Sequence, residues 1–398
     1  MKLKDKKIVL AVTGSIAAVE TVKLVRELRR RGAEVIAVMS SDATKIIHPN
    51  ALEFATDNEV LTELKRAEHV KLLGLNGTAD LLLIAPATAN TISKIANGIA
   101  DTPPTLFALT AIGSRKKIIV APAMHKAMFE AIASNLARLR ELGIEVVPPK
   151  LEEGKAKLAD IEEICLFVER ALYPKELAGK KVVVTSGPTY ERIDPIRFIS
   201  NRSSGRMGNE IALECWRRGA KVVLVTSKPL SYNLPNFRQI VIESVMDMLK
   251  AVLNEVKDAD LFVSAAAPSD FIVDTADSKI KTNREITIKL KMAPKIIKEV
   301  RKIYDGHIIG FKAETGLSDE ELIRVAENKM VEDRLEMVVA NDVKEKGMGT
   351  EDTRVVVLTQ KRREWIEGLK ADVAERIVQI YIEDCLKLCD RSSLHRPA

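Results

Sequence analysis

The hydrophobic residues of this chain form short continuous runs, separated by longer stretches in which apolar residues recur with a helical period. Runs such as IVLAV at 8–12 and LLLIAPA at 81–87 have the length of fully buried strands. Continuous apolar strands that alternate with amphipathic helices predict an α/β fold, with parallel sheets covered by helices on both faces. Ligands of such sheets bind beyond the carboxyl ends of the strands, so we expect the functional residues there.

The same order of segments occurs twice along the chain. Each copy contains a strand after a basic pair, a strand after a Gly-Ala turn, and an apolar strand after Ala-Asp. The three matching pairs are KKIVLAVTGS from Lys6 with KKVVVTSGPT from Lys180, RRRGAEVIAVMS ending at Ser40 with WRRGAKVVLVTS ending at Ser227, and ADLLLIAPAT at 79–88 with ADLFVSAAAP at 259–268. We therefore predict two Rossmann-like domains, at 1–174 and 175–398, with the boundary near Tyr173-Pro174.

The second copy contains an insertion near its first strand. The first pair of segments is offset by 174 residues and the second by 187, so thirteen extra residues lie between them. They belong to the polar stretch SGPTYERIDPIRFISNRSSGRMGNEIA at 186–212, where the first copy has only TGSIAA at 13–18. We expect this stretch to carry chemistry specific to the second domain.

Composition narrows the class of protein. The 398 residues are 46% hydrophobic and 4% aromatic, and 62 Lys+Arg against 56 Asp+Glu leave a net charge of +6. Disorder is excluded by the hydrophobic content, and the basic residues form no dense tract of the kind that binds nucleic acid. Four cysteines indicate no disulfide scaffold, and the apolar run near the N-terminus is too short for a signal peptide or a membrane span. We expect a cytoplasmic protein that binds small anions.

Strand-to-helix turns supply the first candidate site. Gly14, Ser15 and Ile16 follow the first strand, and backbone N–H groups at such a turn can bind a phosphate, although a plain tight turn fits equally well. Ser40 ends the next strand and could join the same phosphate. Thr88 and Asn90 follow a later strand, where helix N-capping is the alternative role.

The insertion supplies the second candidate site. Ser203, Ser204 and Gly205 precede a helix that begins near Arg206, so hydroxyls, N–H groups and a guanidinium could bind a triphosphate. A simple N-cap on a surface helix is the alternative. Lys279 and Lys281 form a pair in a loop, a pattern that usually belongs to a solvated surface.

Taken together, these motifs carry a resemblance. TGSIAA, APATAN and PAMHKAM resemble segments of the homo-oligomeric flavin-containing cysteine decarboxylases, and SGPT…DPIRFISNRSSGRMG resembles phosphopantothenate–cysteine ligases. In this order they resemble the bifunctional proteins of coenzyme A biosynthesis, over essentially the whole chain up to about residue 385. The resemblance implies a flavodoxin-like flavoprotein domain followed by a ligase domain.

For the first domain the resemblance implies an FMN-dependent decarboxylation of 4′-phosphopantothenoylcysteine to 4′-phosphopantetheine. His69 matches the catalytic base, and His125 stands where the family has an Asn. The family's proton-donating Cys is missing from 148–160, so Lys155 or Lys157 could replace it, whereas Cys165 reads as a core residue. The implied flavin contacts are Gly14, Ser15, Ile16, Ser40, Thr88, Asn90 and Ala121.

For the second domain the resemblance implies a ligation of L-cysteine to 4′-phosphopantothenate with CTP and Mg²⁺. Asn201 matches the residue associated with the acyl-cytidylate intermediate, and Lys279 matches one needed for attack by cysteine. Asp333 replaces a family Lys, for which Arg334 could compensate. The implied nucleotide contacts are Ser203, Gly205, Arg206, Ala265, Ala266, Asp270, Lys279, Pro294, Lys295, Ile296, Ile297, Phe311 and Lys329.

The resemblance also implies a homo-oligomer, a dodecamer when the two domains are fused, with no nucleic-acid or membrane partner. Two alternatives stay open: a flavin-binding regulatory protein, and a ligase whose decarboxylase half is impaired. A pyridine-nucleotide oxidoreductase is disfavoured because the chain has no GxGxxG fingerprint.

Overall fold

The computed structural model describes residues 1–63, 66–281, 285–344 and 349–386. The chain forms two compact units, Met1–Tyr173 and Pro174–Ala398. Cys389 and His395 of the tail lie outside the described residues. Within the described residues, no helix is long and apolar enough to cross a membrane.

The first unit contains eight strands and nine α-helices among its described residues. The strands are β1 (Lys7–Val12), β2 (Glu34–Met39), β3 (Leu81–Ala87), β4 (Lys117–Pro122), β5 (Met124–His125), β6 (Glu145–Val146), β7 (Lys150–Glu152) and β8 (Lys155–Lys157). The helices are α1 (Thr21–Arg30), α2 (Ser41–Thr44), α3 (Pro49–Thr56), α4 (Glu68–Leu73), α5 (Ala89–Ala96), α6 (Pro103–Gly113), α7 (Lys126–Ala131), α8 (Ala133–Glu141) and α9 (Ile161–Leu172), with a 3-10 turn at Ile16–Glu20.

The main sheet of the first unit has the order β2-β1-β3-β4-β6, and all of its pairs are parallel. This is the flavodoxin-like order, in which the chain reverses direction across the sheet on either side of β1. Every residue of β3 is buried, as expected for a strand covered by helices on both faces. The predicted α/β class with a parallel sheet is confirmed here. A second, antiparallel sheet has the order β5-β8-β7.

The second unit is built around a larger sheet. Its strands are β9 (Lys181–Ser186), β10 (Tyr190–Arg192), β11 (Phe198–Ser200), β12 (Lys221–Thr226), β13 (Phe237–Val241), β14 (Leu261–Ser264), β15 (Phe271–Val273), β16 (Leu290–Met292), β17 (His307–Glu314), β18 (Met337–Asp342), β19 (Asp352–Thr359) and β20 (Arg363–Leu369). Its helices are α10 (Arg206–Arg217), α11 (Val245–Glu255), α12 (Ile296–Arg301), α13 (Asp319–Glu332) and α14 (Lys370–Tyr381), with a 3-10 turn at Val256–Asp258 and a π turn at Ile382–Leu386.

The internal repeat appears directly in the strand orders. The second sheet has the order β13-β12-β9-β14-β17-β18-β19-β20, so its segment β12-β9-β14-β17 corresponds to β2-β1-β3-β4 of the first. The thirteen-residue insertion contains the antiparallel pair β10 and β11. One feature differs from the predicted parallel sheet: β19 and β20 pair antiparallel at one edge, as is common in large mixed sheets.

A buried ion cluster fastens α9 of the first unit to α1. The Arg31 guanidinium, which follows α1, donates to Glu169 at 2.8 Å and to Glu162 at 2.5 Å. The Glu169 side chain is only 1% exposed, so the guanidinium compensates a carboxylate that water cannot reach. Cys165 is fully buried on the same helix, which confirms it as a core residue, and burial raises the pKa of its thiol.

Replacing Arg31 should destabilise the first unit strongly. Arg31→Met removes the guanidinium from a buried carboxylate, and such losses cost roughly 3–5 kcal/mol. Urea unfolding followed by circular dichroism measures this change. Lys23→Met is the matched control, because the Lys23–Glu20 pair is largely solvated and should contribute less than about 1 kcal/mol. Equal losses for the two variants would contradict the role given to Arg31.

Candidate active sites

The first candidate site lies at the carboxyl edge of the first sheet. Gly14 and Ser15 follow β1, Ser40 follows β2, Thr88 follows β3, and Ala121 lies near the end of β4. Because β1 has β2 on one side and β3 on the other, the connections after β1 and β3 leave a crevice between them. The structure thus brings these residues, predicted from separate motifs, to one edge of the sheet.

Thr13 ties the ends of β1 and β3 together. Its buried hydroxyl donates to the carbonyl oxygen of Pro86 at 2.6 Å and accepts from the backbone N–H of Thr88 at 3.1 Å. This fixes the Gly14–Ser15 turn beside the start of α5. Sequence reasoning missed Thr13, although it is the first residue of the TGS motif that was used.

Position 14 requires glycine because the Asp42 side chain lies close to the backbone there. A Cβ atom at this position would lie 2.5 Å from Cβ of Asp42, so a larger residue would displace α2. Ser40 accepts from Ala43 N at 3.2 Å and Thr88 accepts from Thr91 N at 3.2 Å, so both hydroxyls cap helices. The capping alternative is therefore correct for Thr88 and wrong for Asn90, which lies inside α5, while Ser40 caps α2 although only a phosphate contact was expected of it. The Thr88 hydroxyl also lies 3.1 Å from the hydroxyl of Thr91.

This edge fits the phosphate-bearing flavin that the sequence predicts. The tight passage at Gly14 lets a ligand approach the backbone, the Ser15, Ser40 and Thr88 hydroxyls can donate to phosphate oxygens, and Ile16 offers a side chain that is 77% exposed. Asn90 is exposed on the first turn of α5. Serine, threonine and backbone donors together with one apolar surface suit a cofactor with an anionic end and a flat ring.

His69 lies on α4 instead of at a strand end. Its ring packs edge-on against Phe107, with 6.2 Å between centroids, and no hydrogen bond or ring contact among the described residues joins it to the strand-end residues. Its Nδ1 atom is buried and has no hydrogen-bond partner within the described part of the chain. A buried ring nitrogen of this kind can accept a hydrogen bond from a ligand or donate one to it.

The segment 148–160 forms a hairpin over the PAMHKAM motif. Its turn has φ of 50° at Glu153 and 68° at Gly154, and β8 pairs antiparallel with β5 so that Lys155 lies directly opposite His125. Residues opposite one another in such a ladder have side chains on one face. Nδ1 of His125 accepts from Ala127 N at 3.3 Å, so Nε2 is the ring atom left to face a ligand.

The two lysines of this hairpin that were considered as proton donors, Lys155 and Lys157, differ in their partners. Lys157 Nζ donates to Glu153 at 2.8 Å and to Glu152 at 3.4 Å, and the bond to Glu153 raises the pKa of Lys157. A lysine held by two carboxylates gives up its proton less readily. Of the two donors considered from sequence, Lys155 beside His125 is therefore the better placed.

The second candidate site consists of two cavities at the carboxyl edge of the second sheet. The first, of about 470 Å³, is named the α13 cavity and is lined by Ser264, Ala266, Pro268, Ser269, Asp270, Pro294, Lys295, Ile296, Ile297, Lys298, Phe311, Lys312, Val325, Asn328, Lys329, Glu332 and Asp333. The second, of about 330 Å³, is named the α10 cavity. Its lining is Asn201, Ser203, Ser204, Gly205, Arg206, Met207, Gly208, Ala265, Ala266, Ala267, Asp270, Phe311, Ala313, Asn341, Val343, Gly349, Thr353, Val355 and Lys370.

In the α13 cavity two lysines each form an ion pair with an aspartate. Lys295 Nζ lies 2.5 Å from Oδ1 of Asp270, and Lys329 Nζ lies 2.8 Å from Oδ2 of Asp333. The other Asp333 oxygen, Oδ1, is buried and has no hydrogen-bond partner among the described residues. Phe311 supplies the aromatic face on which a base could stack. The cavity therefore offers an apolar wall and a basic rim, as a nucleotide requires.

The α10 cavity is built where α10 begins. Gly205 has φ of 75°, and a Cβ there would lie 3.0 Å from Ser186 Oγ and 3.1 Å from the Gly187 backbone. Only glycine lets α10 start so close to the end of β9. Arg206, the first residue of the helix, contacts Glu351 at 3.3 Å.

The two cavities adjoin. Ala266, Asp270 and Phe311 line both. Asn201 lies at this junction, where its Nδ2 donates to Ala267 O at 3.1 Å and to Pro268 O at 3.0 Å. Because both N–H groups are used by the loop after β14, the side chain presents its Oδ1 acceptor to a ligand.

Lys279 lines neither cavity. It is exposed in the segment after β15, which is held at Ile280. The buried carboxylate of Asp194 accepts from Ile280 N at 3.1 Å and from the Arg197 guanidinium, and Arg197 donates to Ile280 O at 2.7 Å. The hydrogen bond from Arg197, followed by those from backbone N–H groups, lowers the pKa of Asp194. Asp194 was missed from sequence, although it lies within the insertion that was singled out.

Arg334 does not compensate for Asp333. It lines a third cavity, of about 640 Å³, together with His307 and Glu336 at the amino ends of β17 and β18. Its guanidinium donates to Arg301 O at 3.3 Å. Asp333 and Arg334 thus line different cavities, so the expectation that Arg334 compensates for Asp333 is wrong. No group of three or more metal-binding side chains occurs in the described ranges.

Family models match both units. Residues 1–172 match a model described as Flavoprotein, and residues 177–384 match one described as the DNA/pantothenate metabolism flavoprotein C-terminal domain.

Individual proteins are similar over the full length. The coenzyme A biosynthesis bifunctional protein CoaBC of Thermococcus kodakarensis is 50% identical over 387 residues, which cover 94% of each chain. Its namesake from Methanocaldococcus jannaschii is 41% identical over 95% of this chain and 93% of that one. A solved C-terminal domain of a coenzyme A biosynthesis bifunctional protein CoaBC is 31% identical, with a TM-score of 0.44, over 54% of this chain and 99% of its own.

Asp194→Asn should loosen the segment that carries Lys279. The lowered pKa means that the carboxylate stabilises the fold above its unfolded pKa of about 4 and loses that effect as the pH falls toward its folded pKa. At neutral pH the neutral amide replaces an ionised acceptor, so hydrogen exchange at Ile280 N–H should accelerate at least about tenfold. Mass spectrometry of exchanged peptides measures this. Asp277→Asn, in the same exposed segment, should leave the exchange unchanged; equal rates in both variants would refute the anchor.

Proposed function

Because the chain belongs to the family of coenzyme A biosynthesis bifunctional proteins, we propose that it makes 4′-phosphopantetheine in two steps, with ligation in the second unit and decarboxylation in the first. Ligase and decarboxylase activities in coenzyme A biosynthesis follow from the family. The observation that carries the proposal is identity of 50% over 94% of both chains, together with two cavities at the predicted ligase edge.

In the ligase step, CTP occupies the α13 cavity. Phe311 stacks on the base, the segment Pro294, Lys295, Ile296 and Ile297 borders it, and Lys329 faces the phosphates. A carboxylate oxygen of 4′-phosphopantothenate attacks the α-phosphorus of CTP, and pyrophosphate leaves. The product is an acyl-cytidylate, in which the carboxyl carbon has become electrophilic. Mg²⁺, if bound with the triphosphate, would offset part of its charge.

In the second half of the ligation, the amine of L-cysteine attacks the acyl carbon and CMP leaves with the bonding electron pair. Asn201 Oδ1, at the junction of the cavities, is placed to accept a hydrogen bond from the attacking amine. Lys279 provides a cation that stabilises the leaving CMP when its segment approaches the junction. The Asp194 anchor at Ile280 limits how far that segment moves. Ala265, Ala266 and Asp270 border the reacting atoms.

The first unit decarboxylates the product of the ligation. FMN, when bound at the carboxyl edge of the first sheet, supplies the reversible oxidation of the cysteine thiol that lets the carboxylate leave as CO₂. Gly14, Ser15, Ser40 and Thr88 hold its phosphate end, and Ile16, Asn90 and Ala121 border it. His69 acts as the base and accepts the substrate's proton at Nδ1, which has no hydrogen-bond partner among the described residues. His125 Nε2 orients the substrate, and Lys155 returns a proton to the product carbon.

We further propose that the protein is a homo-oligomer whose flavin sites adjoin a second copy. Four large apolar residues of the first unit are more than three-quarters exposed: Met1 at 81%, Ile16 at 77%, Phe54 at 79% and Leu75 at 83%. Ile16 lies at the proposed flavin edge, where an exposed apolar side chain can pack against a second copy. Sedimentation of the flavin-loaded protein as a fully active monomer would contradict this.

Lys155→Met should lower CO₂ release from 4′-phosphopantothenoylcysteine by about 10²- to 10⁴-fold, because a general acid contributes that much to a rate. Flavin absorbance and its thiol-dependent bleaching should persist, since the substitution leaves the cofactor edge intact. Lys157→Met, in the same strand but held by Glu152 and Glu153, should stay within about threefold of the parent. Equal losses of activity in the two variants would contradict the role of Lys155 as proton donor and would indicate that the hairpin as a whole supports the reaction.

Lys279→Met should uncouple the two halves of the ligation. Pyrophosphate release with CTP and phosphopantothenate should continue for about one turnover, because activation precedes attack, while formation of phosphopantothenoylcysteine should fall at least about 100-fold. Rapid-quench assays with labelled CTP measure both. Lys281→Met, two residues away in the same segment, serves as the control and should retain most activity. If wild-type protein releases pyrophosphate with ATP but not with CTP, the proposed nucleotide is wrong.

A further inference from the structure

The α10 cavity contains a buried lysine that the proposed reaction has not used. Lys370, the first residue of α14, is only 5% exposed and lines the cavity together with Arg206. Its Nζ donates to Thr350 O at 2.7 Å, which fixes the ammonium group at the cavity wall. Lysines are among the residues least often buried, so the burial of Lys370 requires an electrostatic explanation.

Two helices bring the cations together. Arg206 begins α10 and Lys370 begins α14, and each side chain belongs to the first turn of its helix. Burial, and then the nearby Arg206 charge, lowers the pKa of Lys370. Within the described part of the chain these are the only two basic residues that line the α10 cavity. The charge of Asp352 acts on the pKa of Lys370 in the opposite direction. Two cations that begin two helices give this wall of the cavity donors that suit a phosphate group.

The ligase reaction provides two anions and the unit provides two basic cavities. The α13 cavity has its own cations in Lys295, Lys298, Lys312 and Lys329, which can face a triphosphate. Phosphopantothenate carries its carboxylate and its phosphate at opposite ends of an extended chain. If the carboxylate meets the α-phosphorus at the junction marked by Asn201, the phosphate end points away from the nucleotide and into the other cavity.

We propose that Lys370 and Arg206 bind the phosphate group of 4′-phosphopantothenate in the α10 cavity and make the ligase specific for the phosphorylated substrate. The proposal rests on the ligase function proposed above. It reassigns Ser203, Gly205 and Arg206 from the nucleotide to the acid substrate, and it leaves CTP to the α13 cavity. Lys370 thereby becomes a specificity-determining residue that the sequence motifs did not indicate.

The test compares phosphopantothenate with unphosphorylated pantothenate in Lys370→Met and Arg206→Met. Pyrophosphate release with CTP should show the KM for phosphopantothenate raised about 10- to 100-fold in each variant, the range expected for a lost hydrogen bond to a charged group. The KM for CTP should stay within about threefold. Turnover of pantothenate should be unchanged, so the preference for the phosphorylated acid should shrink by the same factor.

Lys361→Met is the matched control. Lys361 also donates to a backbone carbonyl, Asp384 O at 2.9 Å, but it lies on the cavity at the opposite edge of the same sheet. It should change neither KM. Arg206, with a side chain 44% exposed, can be replaced with little effect on folding, so its variant decides the question if Lys370→Met fails to fold.

Calorimetric titration of phosphopantothenate and of CTP into each protein provides a second readout that needs no turnover. A parallel rise in the KM or the dissociation constant for CTP would assign the cations to the triphosphate and overturn the proposal. Unchanged affinity for phosphopantothenate would overturn it as well. If wild-type protein binds phosphopantothenate through these residues but releases no pyrophosphate, the proposed reaction fails while the phosphate site stands.

Discussion

Both units depend on one constraint of parallel sheets, namely that strands must end at the same edge and helices must begin there. Each helix start leaves N–H groups without partners inside the helix, and these groups need acceptors. In the first unit Ser40 and Thr88 supply them as N-caps, and Thr13 locks the ends of β1 and β3 in register. The same edge is therefore rich in hydroxyls for structural reasons, and a bound phosphate uses what the fold already requires.

In the second unit Ser244 and Ser318 cap α11 and α13 with their hydroxyls, whereas α10 begins at a glycine. Gly205 has φ of 75° and permits α10 to begin against the Gly187 backbone, which opens the cavity in front of the helix. The insertion before it folds into β10 and β11, and its turn contains Asp194. One buried carboxylate then links the insertion to the segment of Lys279. The added residues thus extend a shared plan without altering the strand order of the sheet.

The sequence predicted the features that repeat or follow a local pattern. Runs such as LLLIAPA define strands through burial on both faces, and their order in two copies predicted the common topology. Lys370 could not be found this way, because it reads as an ordinary charged residue at a helix start and becomes significant only when α14 packs beside α10. Asp333 and Arg334 adjoin in the chain yet line different cavities, so a compensation argued from adjacency failed.

The distribution of charge explains how a modest net charge of +6 can serve several phosphorylated ligands. In the α13 cavity Lys295 and Lys329 are each paired with an aspartate, which keeps the side chains oriented and reduces their mutual repulsion. A lysine held in place by a carboxylate loses less entropy when a phosphate arrives than one that is free to rotate. The α10 cavity differs, since burial and the hydrogen bond to Thr350 O hold Lys370 in place. The first arrangement suits a triphosphate accompanied by its own cation, and the second suits a single phosphate group.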